Sequence, residues 1–155
     1  MLTVIKNYSL SDIKASINQL LEKASHSEQV RELAVQVTNH DPIVGIYDWA
    51  RANIRYTPDP VEKELFISPV KMVRDHYQGK KLSGDCDDSA LLVTALYRSI
   101  GLKSNVVLLD TAGQGLCHAV SQVYSEKLGR YVMVDASTSE IPIGWEIKYF
   151  QKIVV

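Results

Sequence analysis

Apolar positions recur along this chain with two different periods, and the change falls near Gly101. Before it the spacing is helical. Leu10, Ile13, Ile17, Leu20 and Leu21 lie on one side of a helix wheel, and Ser9 with Asp12 forms a capping box ahead of them. Val30, Leu33, Ala34 and Val37 repeat the pattern. In "HDPIVGIYDWARANIRY", Asp41 stands at an N-cap and Pro42 at the first helical position, with Ile43, Ile46, Tyr47 and Ala50 on one face. "RYTPDPVEKELF", with Pro58 and Pro60, reads as a surface loop. Ser68 and Pro69 open another short helix. In "SGDCDDSALLVTALYRSIG", Ala90, Leu91, Leu92, Val93, Ala95 and Leu96 cover nearly every direction of the wheel. A helix that is apolar all round is buried. Gly101 stands where its C-terminal cap belongs.

After Gly101 the period is that of strands. "KSNVVLLD", "LCHAVSQVYS" and "RYVMVDAS" are three of them, joined by "TAGQG" and by the short hairpin loop "EKLG". The tail "IPIGWEIKYFQKIVV" predicts a further strand or edge extension. Helices first and an antiparallel sheet afterwards define the α+β class. No repeat or linker divides the chain, so residues 1–155 are expected to form one domain. Within it, residues 1–40 are a helical extension and 42–137 carry the core.

Composition then narrows the function. A net charge of −1, with no block of Lys or Arg, argues against nucleic-acid and membrane-surface partners. No apolar run is long enough to span a bilayer, and the N-terminus lacks a signal-peptide pattern. Two cysteines, Cys86 and Cys117, point to a reducing cytoplasm.

The chemistry centres on Cys86, at the start of the apolar helix. Unpaired N–H groups and the positive end of the helix dipole favour thiolate there, and can hold a developing oxyanion. A thiol nucleophile needs a base. His26 and His40 read as surface residues, and His76 as a cap near a helix end. His118 opens a strand directly after a glycine-containing loop, and Asp135 closes the next strand. If Tyr124 opposes Tyr131, Val120 opposes Asp135, and His118 lies diagonally on the same face, about 7–8 Å away at the backbone. Cys, His and Asp in that arrangement form a triad. Cys117 alternates away from His118 and is expected in the core. Trp49 and Tyr56 are expected to pack, and Asp85 and Asp87 to point away from the sulfur.

These segments resemble the transglutaminase-like superfamily. Its pattern Gly-x-Cys-x-Asp, then a helix ending Arg-x-x-Gly, then a strand-opening His and a strand-closing Asp, matches Gly84, Cys86 and Asp88, Arg98 and Gly101, His118, and Asp135. "IYDWARANIRY" resembles the helix upstream of that motif. The resemblance implies a papain-like core in which N-terminal helices and a central buried helix pack on the sheet. It also implies Cys86 as nucleophile, His118 as base and Asp135 as orienter, with no cofactor and no metal. Asp88 would tie or cap the loop. Where many relatives carry an aromatic residue two positions after the His, this chain has Val120. Gln78, Lys80 and Lys81 are near the distance expected for an oxyanion-hole partner, and Gln114 in the loop is a candidate substrate contact.

The expected activity is a thiol-dependent amide hydrolase, a cysteine peptidase or amidase acting through a thioester on a protein or peptide. A chain about the size of the catalytic core favours water over lysine as acceptor. The alternatives are a protein-glutamine crosslinker, a binding or structural domain that keeps the fold, for example in a phage particle, and a metal site using Cys86, Asp87, Asp88, His118 and Asp135.

Overall fold

The structure is a computed structural model that describes residues 2–5, 9–60, 64–138 and 141–155. Its elements, in chain order, are β1 (Leu2–Ile5), α1 (Leu10–Ser25), α2 (Glu28–Val37), α3 (Pro42–Asn53), β2 (Ile54–Tyr56), β3 (Glu64–Ile67), α4 (Pro69–Tyr77), β4 (Leu82–Gly84), α5 (Cys86–Ser99), β5 (Ser104–Asp110), β6 (His118–Ser125), β7 (Arg130–Val134) and β8 (Gln151–Val154).

Each helix begins at a local stop signal. The Ser9 hydroxyl accepts from the Asp12 N–H at 3.2 Å, and the Asp12 carboxylate accepts from the Ser9 N–H at 3.0 Å. The Asp41 carboxylate accepts from the N–H of Ile43 and Val44 ahead of α3. Ser68 precedes α4, but its side chain makes no cap; it is buried instead. Pro69 supplies a preset first turn there. Gly101 follows the end of α5 at φ 87°, a conformation that suits glycine.

The four N-terminal helices wrap α5 on one side, and the sheet covers it on the other. Every residue from Asp87 to Tyr97 is buried. Leu91, Leu92, Val93, Leu96 and Tyr97 are fully so, and burying each stabilises the fold by about 1.5–3 kcal/mol. The Tyr97 hydroxyl, carried into this core, donates to the Ile43 carbonyl at 2.8 Å.

The main sheet has the order β7-β6-β5-β8, with antiparallel neighbours throughout. Val106, Leu108, Ala119, Val123, Val132 and Val134 belong to the helix-side core. A hydrogen bond of 2.8 Å between the Thr94 and Ser121 hydroxyls joins α5 to that face. Val107, Leu109 and Val120 form a second apolar cluster against Met133 and Ile147, so the C-terminal tail covers part of the other face. The tail then ends as edge strand β8.

The segment from Arg55 to Phe66 departs from the loop that its prolines predict. β2 pairs with β4 in parallel, and β3 pairs with β1 antiparallel. Strands of three or four residues show no clear alternation, and their partners are distant in sequence, so propensity alone leaves them invisible. Val61, Glu62 and Lys63 of that segment lie outside the described residues. No helix among the described residues is long and apolar enough to cross a membrane.

Candidate active site

Cys86 is the first residue of α5. Asp85 caps the helix: its carboxylate accepts from the Asp88 N–H at 3.3 Å, and its carbonyl accepts from the Ser89 N–H at 3.1 Å. The N–H groups of Cys86 and Asp87 therefore sit in a first turn, where intrahelical partners do not exist. Cys86 is half-buried and in no disulfide.

Asp88 explains the glycine two residues before the cysteine. Its carboxylate accepts from the Ile67 N–H at 2.7 Å and from the Asp85 N–H at 3.1 Å, tying β3 and the end of β4 to α5. A Cβ at Gly84 would meet the Asp88 Cβ at 2.6 Å and Oδ2 at 2.7 Å. Only glycine leaves room for this tie. Asp88 therefore ties the loop to the helix, the role that the resemblance implies for it. Burial pushes its carboxyl up, against two N–H donors that favour the carboxylate.

His118 and Asp135 come together as the hairpin register requires. Tyr124 opposes Tyr131, with ring centroids 5.3 Å apart, and Ser121 opposes Val134. One step further puts Asp135 opposite Val120 and diagonal to His118. His118 Nε2 lies 2.6 Å from Asp135 Oδ2. The other carboxylate oxygen accepts from the Ser137 N–H at 3.0 Å and its hydroxyl at 2.6 Å. That leaves Nδ1 as the imidazole nitrogen available to sulfur. Hydrogen bonds to Asp135 first, and then to Cys86, push His118 up to about 10, so its ring is an imidazolium at neutral pH. Burial alone would raise Asp135; the bonds from His118 and Ser137 outweigh it and hold the carboxyl below its ordinary range. The Asp135 side chain is 1% exposed and that of His118 23%, so the imidazole reaches the cavity while the carboxylate behind it stays buried.

Two adjoining cavities expose this group. One, of about 230 Å³, has Cys86, His118, Asp85, Asp87, Asp59 and Tyr56 in its wall. The other, of about 390 Å³, has Cys86, His118, Asp135, Ser137 and Tyr56.

Two expectations change here. Cys117 is exposed and lines both cavities instead of the core, with its sulfur 3.2 Å from the Thr111 hydroxyl. It lies one residue before β6 begins, where strand alternation no longer dictates burial. Tyr56 is 55% exposed and lines both cavities with Cys86, as wall and not packing. Burial, and then the charge of Cys86, pushes its phenol up. Trp49 does pack, edge-on to His76 at 5.1 Å. Asp85 and Asp87, though nearly buried, belong to the wall of the smaller cavity that holds Cys86.

Gln78 and Gln114 are not brought to Cys86. Gln78 is the exposed residue that ends α4, and neither glutamine lines either cavity. The loop carrying Gln114 is held by Asp110, whose carboxylate accepts the N–H groups of Ala112, Gly113, Gln114 and Gly115.

The five-residue metal set does not assemble either, because Asp88 and Asp135 are committed to the bonds above. Among the described residues the donors that converge are Asp59, Asp85 and Asp87, with oxygens within 4.8 Å of one another. Three carboxylates suit a hard cation such as Ca²⁺. Ser137, Tyr56 and Asp59 are the positions around the candidate site that the sequence reading missed. A serine two residues after an aspartate is a legible Asx-turn pattern. Nothing local marks the other two.

The sequence profile of the transglutaminase-like superfamily matches residues 18–136. With the capped cysteine helix and the His–Asp pair on neighbouring strands, the chain belongs to that superfamily. Similar solved structures include a cysteine-protease candidate from Cytophaga hutchinsonii (16% identity, 99% of this chain and 62% of that one, TM-score 0.55). A protease candidate from Parabacteroides distasonis is also similar (14%, 80% of this chain and 26% of that one, TM-score 0.58). So is calcium-bound LapG from Legionella pneumophila (16%, 80% and 74%, TM-score 0.50). The chain thus spans less than two thirds of the first two proteins. No curated protein matches the sequence.

Proposed function

We propose that this chain is a thiol-dependent amide hydrolase, a cysteine peptidase or amidase with Cys86 as nucleophile, His118 as acid and base, and Asp135 as orienter. The observation that carries the reading is the His118–Asp135 bond in the wall of a cavity that His118 shares with Cys86, at the open start of a buried helix. In this reading the Cys86 thiolate attacks the amide carbonyl, and the Cys86 N–H steadies the oxyanion. The His118 imidazolium gives its proton to the leaving amine, which departs as the thioester forms. Water then attacks the thioester, losing a proton to the neutral imidazole, and the carboxylic acid is released with the thiol restored. Asp135 keeps its carboxylate throughout and fixes the ring, with Ser137 fixing Asp135 in turn.

LapG has been seen with calcium bound. In this chain Asp59, Asp85 and Asp87 are the residues that would hold such an ion. Its chemistry there would be to cancel negative charge beside the sulfur. Both cysteines are free thiols, which suits a reducing compartment.

The test is incubation with peptide libraries, with and without a primary amine, read by mass spectrometry. Hydrolysed amides that vanish in Cys86→Ala support the reading. Amine adducts in preference to hydrolysis would make the protein a crosslinker. No turnover, together with slow iodoacetamide labelling of Cys86, would leave a binding domain.

A further inference from the structure

The cavity beside the sulfur does not end at the sulfur. It shares Ser137 and Thr138 with a neighbouring cavity of about 450 Å³. That one shares Arg51, Ala52 and Ile54 with a third, of about 830 Å³. Shared wall residues set the three side by side as a candidate groove, from Cys86 and His118, past Asp48 and Arg51, to an end lined by Arg55, Lys80, Lys81 and His76. No carboxylate lines that end among the described residues.

The charges there are arranged, not scattered. Arg51, where the second and third cavities meet, is braced: its Nη1 donates to the Tyr47 hydroxyl at 3.0 Å, and its guanidinium lies 5.1 Å over the Tyr47 ring. The Tyr47 hydroxyl in turn donates to the Ile141 carbonyl at 2.6 Å. Arg55 is set by the parallel ladder, opposite Ser83. Lys80 shares part of its charge with Asp75, 3.6 Å away, which also pairs with Lys71. Neither Arg55 nor Lys81 has an ion pair among the described residues. Arg55 and Lys81 lie in one concavity beside the partly neutralised Lys80, and such a concavity concentrates anions.

We propose that this groove binds the polypeptide substrate through a run of acidic side chains several residues from the scissile amide, seated at Arg55, Lys80 and Lys81. The inference deepens the amide-hydrolase reading and rests on it. A groove that starts at an acyl-transferring thiol admits a polypeptide, so the anions it meets are side-chain carboxylates.

The test uses Cys86→Ala protein and fluorescein-labelled peptides of Gly and Ser carrying a block of four Glu, or of four Gln, at either end. Fluorescence anisotropy should show the Glu peptides binding about tenfold tighter, the sum of several exposed ion pairs. Arg55→Gln/Lys81→Gln should remove most of that difference; both side chains are exposed, so the fold should survive. Equal affinity for Glu and Gln peptides, or an undiminished preference in the double variant, overturns the proposal. So does tighter binding of an oligothymidylate, which would make the basic end a nucleic-acid site. In the unsubstituted protein, the Glu peptide in one of its two orientations should slow iodoacetamide labelling of Cys86, mapped separately from Cys117, and the Gln peptide should not. Binding without protection in either orientation would separate the basic cavity from the cleft and overturn the groove. These readouts need no turnover. Failure of the peptide libraries with binding and protection intact would therefore sink the hydrolase reading and leave the acidic-peptide groove standing.

Discussion

Asp88 and Asp135 are both almost completely buried, at 1% and 2% exposure, and each accepts three or fewer hydrogen bonds from neighbours fixed by the fold. Their carboxyls nevertheless move in opposite directions. At the start of α5, burial wins and Asp88 goes up, with the charges of Asp85 and Asp59 adding to the push. At the end of β7, bonds from His118 and Ser137 overcome burial and Asp135 goes down. The difference lies in the neighbour's charge. Asp88 has backbone N–H donors and two carboxylates nearby; Asp135 has a cationic ring. One region is a structural tie that tolerates neutralisation. The other is a charge pair whose ionic state would set the chemistry in the proposed mechanism.

The largest expected effect breaks the second region. Asp135→Asn should lower acylation by about 10³–10⁴-fold with the fold retained, because the imidazole loses the partner that fixes its tautomer. Stopped-flow acylation and circular dichroism together check this. The alkaline limb of the rate profile should also shift to lower pH, away from the region near 10 set by Asp135 and Cys86.

Next come changes in the first region, which should act on stability. Asp88→Ala leaves the N–H groups of Ile67 and Asp85 unpaired, at a cost of about 1–3 kcal/mol each. Asp88→Asn keeps an acceptor and should cost less. Its relative cost should also shrink as pH rises above about 3.9, since a carboxyl raised by folding is a growing burden once the unfolded chain ionises. Urea unfolding at several pH values measures both; an Asn variant that worsens with rising pH would contradict the direction of the Asp88 shift. Gly84→Ala, which brings a Cβ within 2.6 Å of Asp88, should cost about 1–3 kcal/mol. Combined with Asp88→Ala, only the carboxylate part of the clash should be relieved, because alanine keeps the Cβ that lies 2.6 Å away.

The pH dependence of stability sharpens the contrast. His118 is raised, so its contribution is complete below about 6.5 and is lost as pH climbs toward 10. Asp135 is lowered, so its contribution is complete above about 3.9 and is lost in acid. Stability owed to the pair should therefore be flat between those values and fall on both sides, and the difference between the parent protein and His118→Ala should trace that plateau. The smallest effect belongs to Ser137→Ala. It removes the hydroxyl bond to Asp135 but keeps the backbone N–H, so acylation should drop by about tenfold or less.

Much of the site was legible along the chain because its signals are local. The capping box at Ser9, the Asp41–Pro42 start and the all-round apolar wrap of Ala90 to Leu96 each involve residues within a turn or two of one another. The short hairpin likewise fixed the register of β6 on β7, and with it the diagonal of His118 and Asp135, because a slip by one residue would have put them on opposite faces. The tertiary structure alone decided what surrounds that pair. Tyr56 and Asp59 come to the thiol because β2 pairs with β4, which follows a whole helix later. Arg51 joins the groove because α3 packs where Ser137 ends the β7 segment. Such placements depend on pairings between distant segments, whose cost is loop-closure entropy and whose reward is a packed core. Neither quantity leaves a mark on the residues within any short window. Cys117 shows the boundary: alternation predicts its face, yet its exposure depends on where the strand begins and where the cleft opens.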